Sequence, residues 1–213
     1  MKLKLIFLLS ILILISGCGI TGEFINNCIG IDDNGRDECY VNIAKEKQDL
    51  LFCKAVKDDM SAEYCYAAVA ESKNDAGICS EIEGIYWHDI CYKNIAVANA
   101  DIRYCSEIRE IVDANKCLLE IGENYNDLNA CKVINNIEMR DNCLKSVAAA
   151  AEDEEICSMI SDELKKDACY HKVAKVKKDI SICNKIKTGI IKESCYQKIA
   201  EDGGEKGSKI VVI

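Results

Sequence analysis

Residues 91–105, Cys-Tyr-Lys-Asn-Ile-Ala-Val-Ala-Asn-Ala-Asp-Ile-Arg-Tyr-Cys, decide the fold. They begin and end on cysteine, and the 14-residue step from Cys91 to Cys105 recurs along the chain. Of 15 cysteines, 14 lie from Cys28 to Cys195, at steps of 11, then of 14 and 12 in alternation. The period is therefore 26, and seven units fit. Other residues keep the same register. Asp49, Asp75, Asp101, Asp127, Asp153 and Asp179 each stand four before the first cysteine of a unit. Val56, Ile82, Ile108, Ile134, Ile160 and Ile186 stand three after it. An acid or Asn stands two before every second cysteine: Asp37, Glu63, Asp89, Asn115, Asp141, Asp167 and Glu193. A β-branched residue and then Ala or Gly follow that cysteine, from Ile43-Ala44 to Ile199-Ala200. So many markers in one register identify a short repeat.

Each unit reads as two helices. The aspartate is an N-cap, its carboxylate accepting from the free N–H groups of the first turn. A helix of about two turns follows, with apolar residues one, four and seven beyond the cap, as in Ile180, Cys183 and Ile186. Thr188-Gly189, Ser161-Asp162 and Asn135-Asn136 mark breaks. A second helix of about four turns carries an apolar residue, the second cysteine and the β-branched residue, as in Leu164, Cys169 and Val173. Proline is absent, which favours helices. One such hairpin has too little core to stand alone, whereas stacked hairpins bury a continuous one. The expected fold is all-α, an α-solenoid of seven disulfide-pinned helical hairpins over residues 28–201.

Cysteines can pair within a unit or between units. Within the last unit, Cys183 and Cys195 are expected about 6 Å and about 9 Å from the turn, nearly level with one another. Between units, the corresponding heights are about 14 Å and about 6 Å, too different for a bridge without tilt. The missing residue between Cys28 and Cys39 falls in the loop that within-unit pairing tolerates. The expected bridges are Cys28–Cys39, Cys53–Cys65, Cys79–Cys91, Cys105–Cys117, Cys131–Cys143, Cys157–Cys169 and Cys183–Cys195. Each closes a short loop and contributes about 3 kcal/mol in the chain-entropy view.

The chain opens Met-Lys-Leu-Lys, followed by an apolar run from Leu5 to Ile15 and then Ser16-Gly17-Cys18. That run is short for a membrane span and suits a secretory signal. The stretch resembles the lipobox of prokaryotic lipoproteins. The resemblance implies cleavage after Gly17 and a lipid on Cys18, with residues 1–17 a signal peptide and 18–27 a linker. Export to an oxidising compartment agrees with a disulfide framework. The expected location is the outer face of a membrane, at the cell surface or in a periplasm.

Residues 18–213 carry a net charge of −11, which argues against nucleic acid as a partner. The charge is uneven. Residues 164–198 hold 10 lysines against three acids, and residues 18–163 are net −17. Lys165, Lys166, Lys172, Lys175, Lys177 and Lys178 form a candidate patch for an acidic protein or surface polymer. No C-x-x-C pair suggests a metal centre, no catalytic constellation stands above the repeat, and no cofactor is expected. Trp87-His88-Asp89 reads as a decorated surface, and His171 as lying on a solvated face. Tyr40, Tyr66, Tyr92, Tyr170 and Tyr196 follow second cysteines and read as packing between hairpins or as an aromatic ladder for a partner. Gly203, Gly204 and Gly207 mark residues 202–213 as a flexible tail.

In architecture, residues 28–201 are similar to tetratricopeptide and Sel1-like helical repeats, though their signatures are absent. The D-x-x-x-C-x-x-I and D-x-C-Y-x-x-I-A patterns more closely resemble cysteine-rich short-repeat lipoproteins of archaeal type, a group that brings no activity with it. The expected role is non-catalytic binding or scaffolding, with the membrane reached through the lipid. The alternative is a thiol protein that holds metal or buffers redox state.

Overall fold

The computed structural model describes residue 28 and residues 30–202. The leader, the linker with Cys18, and residues 203–213 lie outside the described residues. The chain divides into two compact units, residues 1–95 and 96–213. The first holds α1 (Asp33–Lys47), a 3-10 turn at Cys53–Ala55, α2 (Asp59–Lys73), α3 (Ala76–Cys79) and most of α4 (Ile85–Asn99). The second holds α5 (Ile102–Cys105), α6 (Ile111–Tyr125), α7 (Leu128–Val133), α8 (Ile137–Ala150), a 3-10 turn at Ile156–Met159, α9 (Glu163–Lys177), a 3-10 turn at Ile180–Lys185 and α10 (Gly189–Asp202). The described residues are all-α, with no strand. In the first unit α1 packs on α2; in the second, α6, α8, α9 and α10 pack in sequence.

Every hairpin is pinned by its own bridge. The seven disulfides join Cys28–Cys39, Cys53–Cys65, Cys79–Cys91, Cys105–Cys117, Cys131–Cys143, Cys157–Cys169 and Cys183–Cys195, with Cα–Cα separations of 5.4–5.8 Å. The second cysteine is the seventh residue of each long helix, from Cys39 in α1 to Cys195 in α10. Where it is described, the first helix of a hairpin is shorter than two α turns: three or four residues at Cys53–Ala55, α3, α5 and Ile156–Met159, and six at α7 and Ile180–Lys185. It stops because the residue three after the cysteine leaves the helix. Val56, Ile134, Ile160 and Ile186 are extended, with ψ of 122–133°, yet at most 9% exposed. Ile186 therefore packs from an extended strand-like position, not from a helix face. Leu164 and Ile180, read as inward-facing, are 60% and 41% exposed because they lie at or beside the hairpin ends. A lone turn is a poor helix in water, since nucleation fixes several residues for one hydrogen bond. The bridge supplies what the turn lacks.

The repeating aspartates join one hairpin to the next. The backbone N–H of Asp49, Asp75, Asp101, Asp127, Asp153 and Asp179 donates to the carbonyl of Ala44, Ala70, Ala96, Gly122, Ala148 and Ala174, closing the end of the preceding helix. The side chain of each then accepts from the N–H two residues on, that of Leu51, Gly77, Arg103, Asn129, Glu155 or Ser181. The small residue is needed because the next bridge lies against it. A Cβ on Gly122 would come 2.4 Å from Cys143 Sγ and 2.8 Å from Cys131 Sγ.

The acid two before each second cysteine works across hairpins. Asp37 accepts from the N–H groups of Lys57 and Asp58, Asp141 from Ser161 and Asp162, and Asp167 from Lys187 and Thr188. Glu63 reaches Gly84 and Asn115 reaches Asn135. Each acceptor thus holds the backbone that enters the next long helix. Asp141 and Asp167 are completely buried. At Asp167 burial pushes the carboxyl up, but the bonds from Thr188 and Lys187 outweigh it and leave the carboxyl below 3.8. A depressed folded value means that its contribution is present above pH 3.8 and is lost as pH falls through the folded value.

Two outcomes follow from this backbone accounting. Asn115 offers one oxygen where Asp37, Asp141 and Asp167 offer two. Asn115→Asp should raise the denaturant midpoint at pH 7 by an amount worth about 1 kcal/mol, while Asp141→Ala, removing the buried acceptor of two part-buried backbone donors, should cost about 2 kcal/mol. Separately, a left-handed residue closes six long helices, with φ of 52–54° at Gln48, Asn74, Ala100, Asn126 and Lys178 directly after the helix and at Glu152 one residue later. Asparagine suits that conformation and alanine or lysine does not. Ala100→Gly and Lys178→Gly should each stabilise by about 0.5–1 kcal/mol, read as a raised melting temperature.

Candidate functional site

The lysine-rich segment forms two kinds of position on α9 and the turn after it. Lys165 pairs with Glu138 at 3.5 Å, Lys166 with Glu163 at 4.0 Å and Lys177 with Glu154 at 2.7 Å. The hydrogen bond from Lys177, with the charges of Lys177 and Lys185 beside it, holds the Glu154 carboxyl below its usual range. Lys172, Lys175 and Lys178 are exposed and carry no ion pair among the described residues. Lys185 reaches Glu155 at 2.6 Å and lies 5.8 Å above the Tyr170 ring. Lys165 and Lys177 thus tie α9 to neighbouring elements, Lys166 pairs within α9, and the other three named lysines remain available to a partner.

The tyrosines divide too. Tyr40, Tyr92 and Tyr170 are buried, whereas Tyr66 and Tyr196 are half-buried. Burial pushes the Tyr170 hydroxyl above its ordinary value. The Trp87-His88-Asp89 cluster is not a surface decoration. His88 and Asp89 are buried, and His88 Nδ1 lies 2.9 Å from Asp89 Oδ1. Trp87 instead packs against Tyr64 and Tyr86, at centroid distances of 4.9 and 5.0 Å. His171 is half-buried rather than solvated; burial and Lys175 lower its pKa.

The most regular exposed feature is apolar. The first residues of α4, α6 and α8 are Ile85, Ile111 and Ile137, each at least 50% exposed. The second residues of α2, α4, α6, α9 and α10 are Met60, Tyr86, Val112, Leu164 and Ile190, all exposed. The starts of α2, α4, α8, α9 and α10 are fixed by the acceptor one hairpin upstream and, at α2, α8 and α9, also by the side chain of Asp58, Asn136 or Asp162. The apolar side chains are therefore held on ordered turns, and in the first unit Tyr64, Tyr86 and Trp87 gather beside them. Large apolar side chains recurring at one register are unusual for a surface that meets only water. The sequence carries this signal in the 26-residue step Ile85, Ile111, Ile137, but an apolar residue at a regular step has the same signature as a core position.

Two cavities line the groove between a short turn and the long helix after it. One, of about 480 Å³, is bounded by Ile102, Ile111, Asn115, Leu118, Val133 and Asn135. The other, of about 640 Å³, is bounded by Ile180, Asn184, Gly189, Lys192, Glu193 and Tyr196. Among the described residues no three His, Cys, Asp or Glu side chains converge as metal ligands would, and no helix is long and apolar enough to cross a membrane. The disulfide content points to an extracytoplasmic protein. No protein-family profile, curated protein or solved structure matches the chain.

Proposed function

We propose that the chain is an exported, lipid-anchored protein that binds a protein partner without catalysis, through the exposed apolar side chains at the starts of its long helices. The observation that carries this reading is the recurrence of exposed apolar side chains at helix starts in each unit, Met60, Ile85 and Tyr86 in the first and Ile111, Val112, Ile137, Leu164 and Ile190 in the second, several of them on turns held by side-chain acceptors such as Glu63, Asn136 and Asp162. Interfaces favour amphipathic aromatic anchors of the kind that Tyr86 and Trp87 supply. The exposed lysines at Lys172, Lys175 and Lys178 give the second unit a basic complement to an acidic partner. The lipid on Cys18 rests on the leader alone. The thiol alternative needs thiolates, and the 14 cysteines from Cys28 to Cys195 are all spent in bridges. Thirteen of them are at most 1% exposed, which also slows reductive attack.

A photo-crosslinking residue placed at Tyr86 or at Ile137 in envelope-bearing cells tests the reading. Both positions should give one discrete protein adduct that an exposed control, Glu107, does not give, and Ile111→Asp should abolish it while shifting stability by no more than about 0.5 kcal/mol. Cys18→Ala should release the chain from the membrane fraction. Identical adducts at all three positions, or none, would end the proposal.

A further inference from the structure

The repeat supplies its own reference, and the fourth hairpin departs from it around one cavity. Two before the second cysteine, Asn115 stands where the other six hairpins carry an acid. One after that cysteine, Leu118 stands where five hairpins carry tyrosine. On the facing turn of the fifth hairpin, Val133 stands where Glu81, Glu107 and Lys185 stand, and Asn135 where Lys57, Glu83, Arg109 and Lys187 stand. Asn115, Leu118, Val133 and Asn135 all line the cavity of about 480 Å³, within the second unit.

These departures change what the cavity can hold. Tyr92 and Tyr170 are buried at the position that Leu118 takes, and leucine lacks the ring and hydroxyl that they place there. Ile102, Ile108 and Ile111 add further apolar wall. Asn115 is 5% exposed, and its Oδ1 accepts from the Asn135 N–H at 2.8 Å. That bond fixes the orientation of the carboxamide and leaves the Nδ2 hydrogens with no acceptor among the described residues. A buried donor without a partner is costly. Arg103, the one charged residue on the lining, is engaged by Asp101 at 2.6 Å.

We propose that this cavity binds a small uncharged molecule, an apolar body bearing a carbonyl, ester or hydroxyl oxygen that accepts from Asn115 Nδ2. Its volume falls in the range of ligand sites, about 300–1,000 Å³, and apolar walls with one placed polar group are their common composition. An anion or cation would leave water without a counter-ion, whereas the neutral lining suits a neutral guest. An aspartate at residue 115 would hold the following turn better, with two oxygens, but would offer no donor. The amide thus gives up stability for a ligand contact, a trade that functional sites make. The inference goes beyond the protein-binding surface, with which it shares only Ile111, and depends neither on that surface nor on the lipid anchor.

NMR titration of the oxidised chain from Cys18 with acetophenone tests it, with ethylbenzene and benzoate as the hydrocarbon and anionic counterparts. Acetophenone should shift the Asn115 side-chain amide and the Val133 methyl signals saturably, with a dissociation constant below about 5 mM. Ethylbenzene, which has no acceptor, should bind about fivefold more weakly. Benzoate should bind at least about tenfold more weakly. Asn115→Asp and Leu118→Tyr each restore the residue that most hairpins carry, so both chains should fold. Asn115→Asp should weaken acetophenone at least about tenfold, read at the Val133 methyls, while raising the melting temperature. Leu118→Tyr should fill the cavity and abolish the shifts. The proposal is overturned by the absence of a saturable shift at Asn115, by ethylbenzene or benzoate binding as tightly as acetophenone, or by unchanged affinity in Leu118→Tyr.

Discussion

A helix of three to six residues cannot hold itself in water, and from the second hairpin to the seventh this molecule contains one in each. The constraint that rescues it is a disulfide between that turn and the seventh residue of the following long helix. With the bridge in place the short turn has a fixed height and direction, and the chain can leave it in an extended conformation through Val56, Ile134, Ile160 or Ile186. The extended residue drives into the core, and the next two N–H groups emerge where an acceptor from the preceding hairpin waits. The order of events along the chain is therefore bridge, extended residue, acceptor and long helix, repeated every 26 residues.

The division of labour is chemical. Sulfur fixes the inside of each hairpin, while carboxylates fix one hairpin to the next. A buried carboxylate is tolerable because it gains two backbone donors that would otherwise lack partners at a helix start. The aspartate at each junction serves two helices, its N–H ending one and its side chain beginning the other. Small residues such as Ala148 and Gly122 allow the next bridge to approach the helix end. Few large apolar side chains are needed in such a core, and several are left on the surface at the helix starts.

Much of this was legible from spacing. The 14 and 12 steps specify the repeat, and the relative heights of the cysteines on two antiparallel helices favour pairing within a hairpin. The junction aspartates are recognisable because their bonds are local, spanning two residues. The acceptors at Asp37, Asp141 and Asp167 stand out as periodic acids, yet their purpose is hidden because their partners lie 20 and 21 residues onward. The left-handed positions were invisible, since Gln48, Ala100, Glu152 and Lys178 share no chemistry. Leu164 was misread because an apolar residue at helical spacing suggests a core, although the break at Ser161-Asp162 already places it in the first turn of the helix, at the hairpin end. The burial of His88 beside Asp89 was likewise masked, because adjacent helical residues are not expected to share an environment.

The central claim is that each hairpin is closed by its own sulfur and that no disulfide joins it to the next. Non-reducing peptide mapping tests it most directly, using trypsin together with a glutamate-specific protease on protein purified without reductant. The account predicts seven bridges, each linking the first and second cysteines of one hairpin. A peptide joining Cys39 to Cys53, or any second cysteine to the first cysteine of the following hairpin, would contradict it.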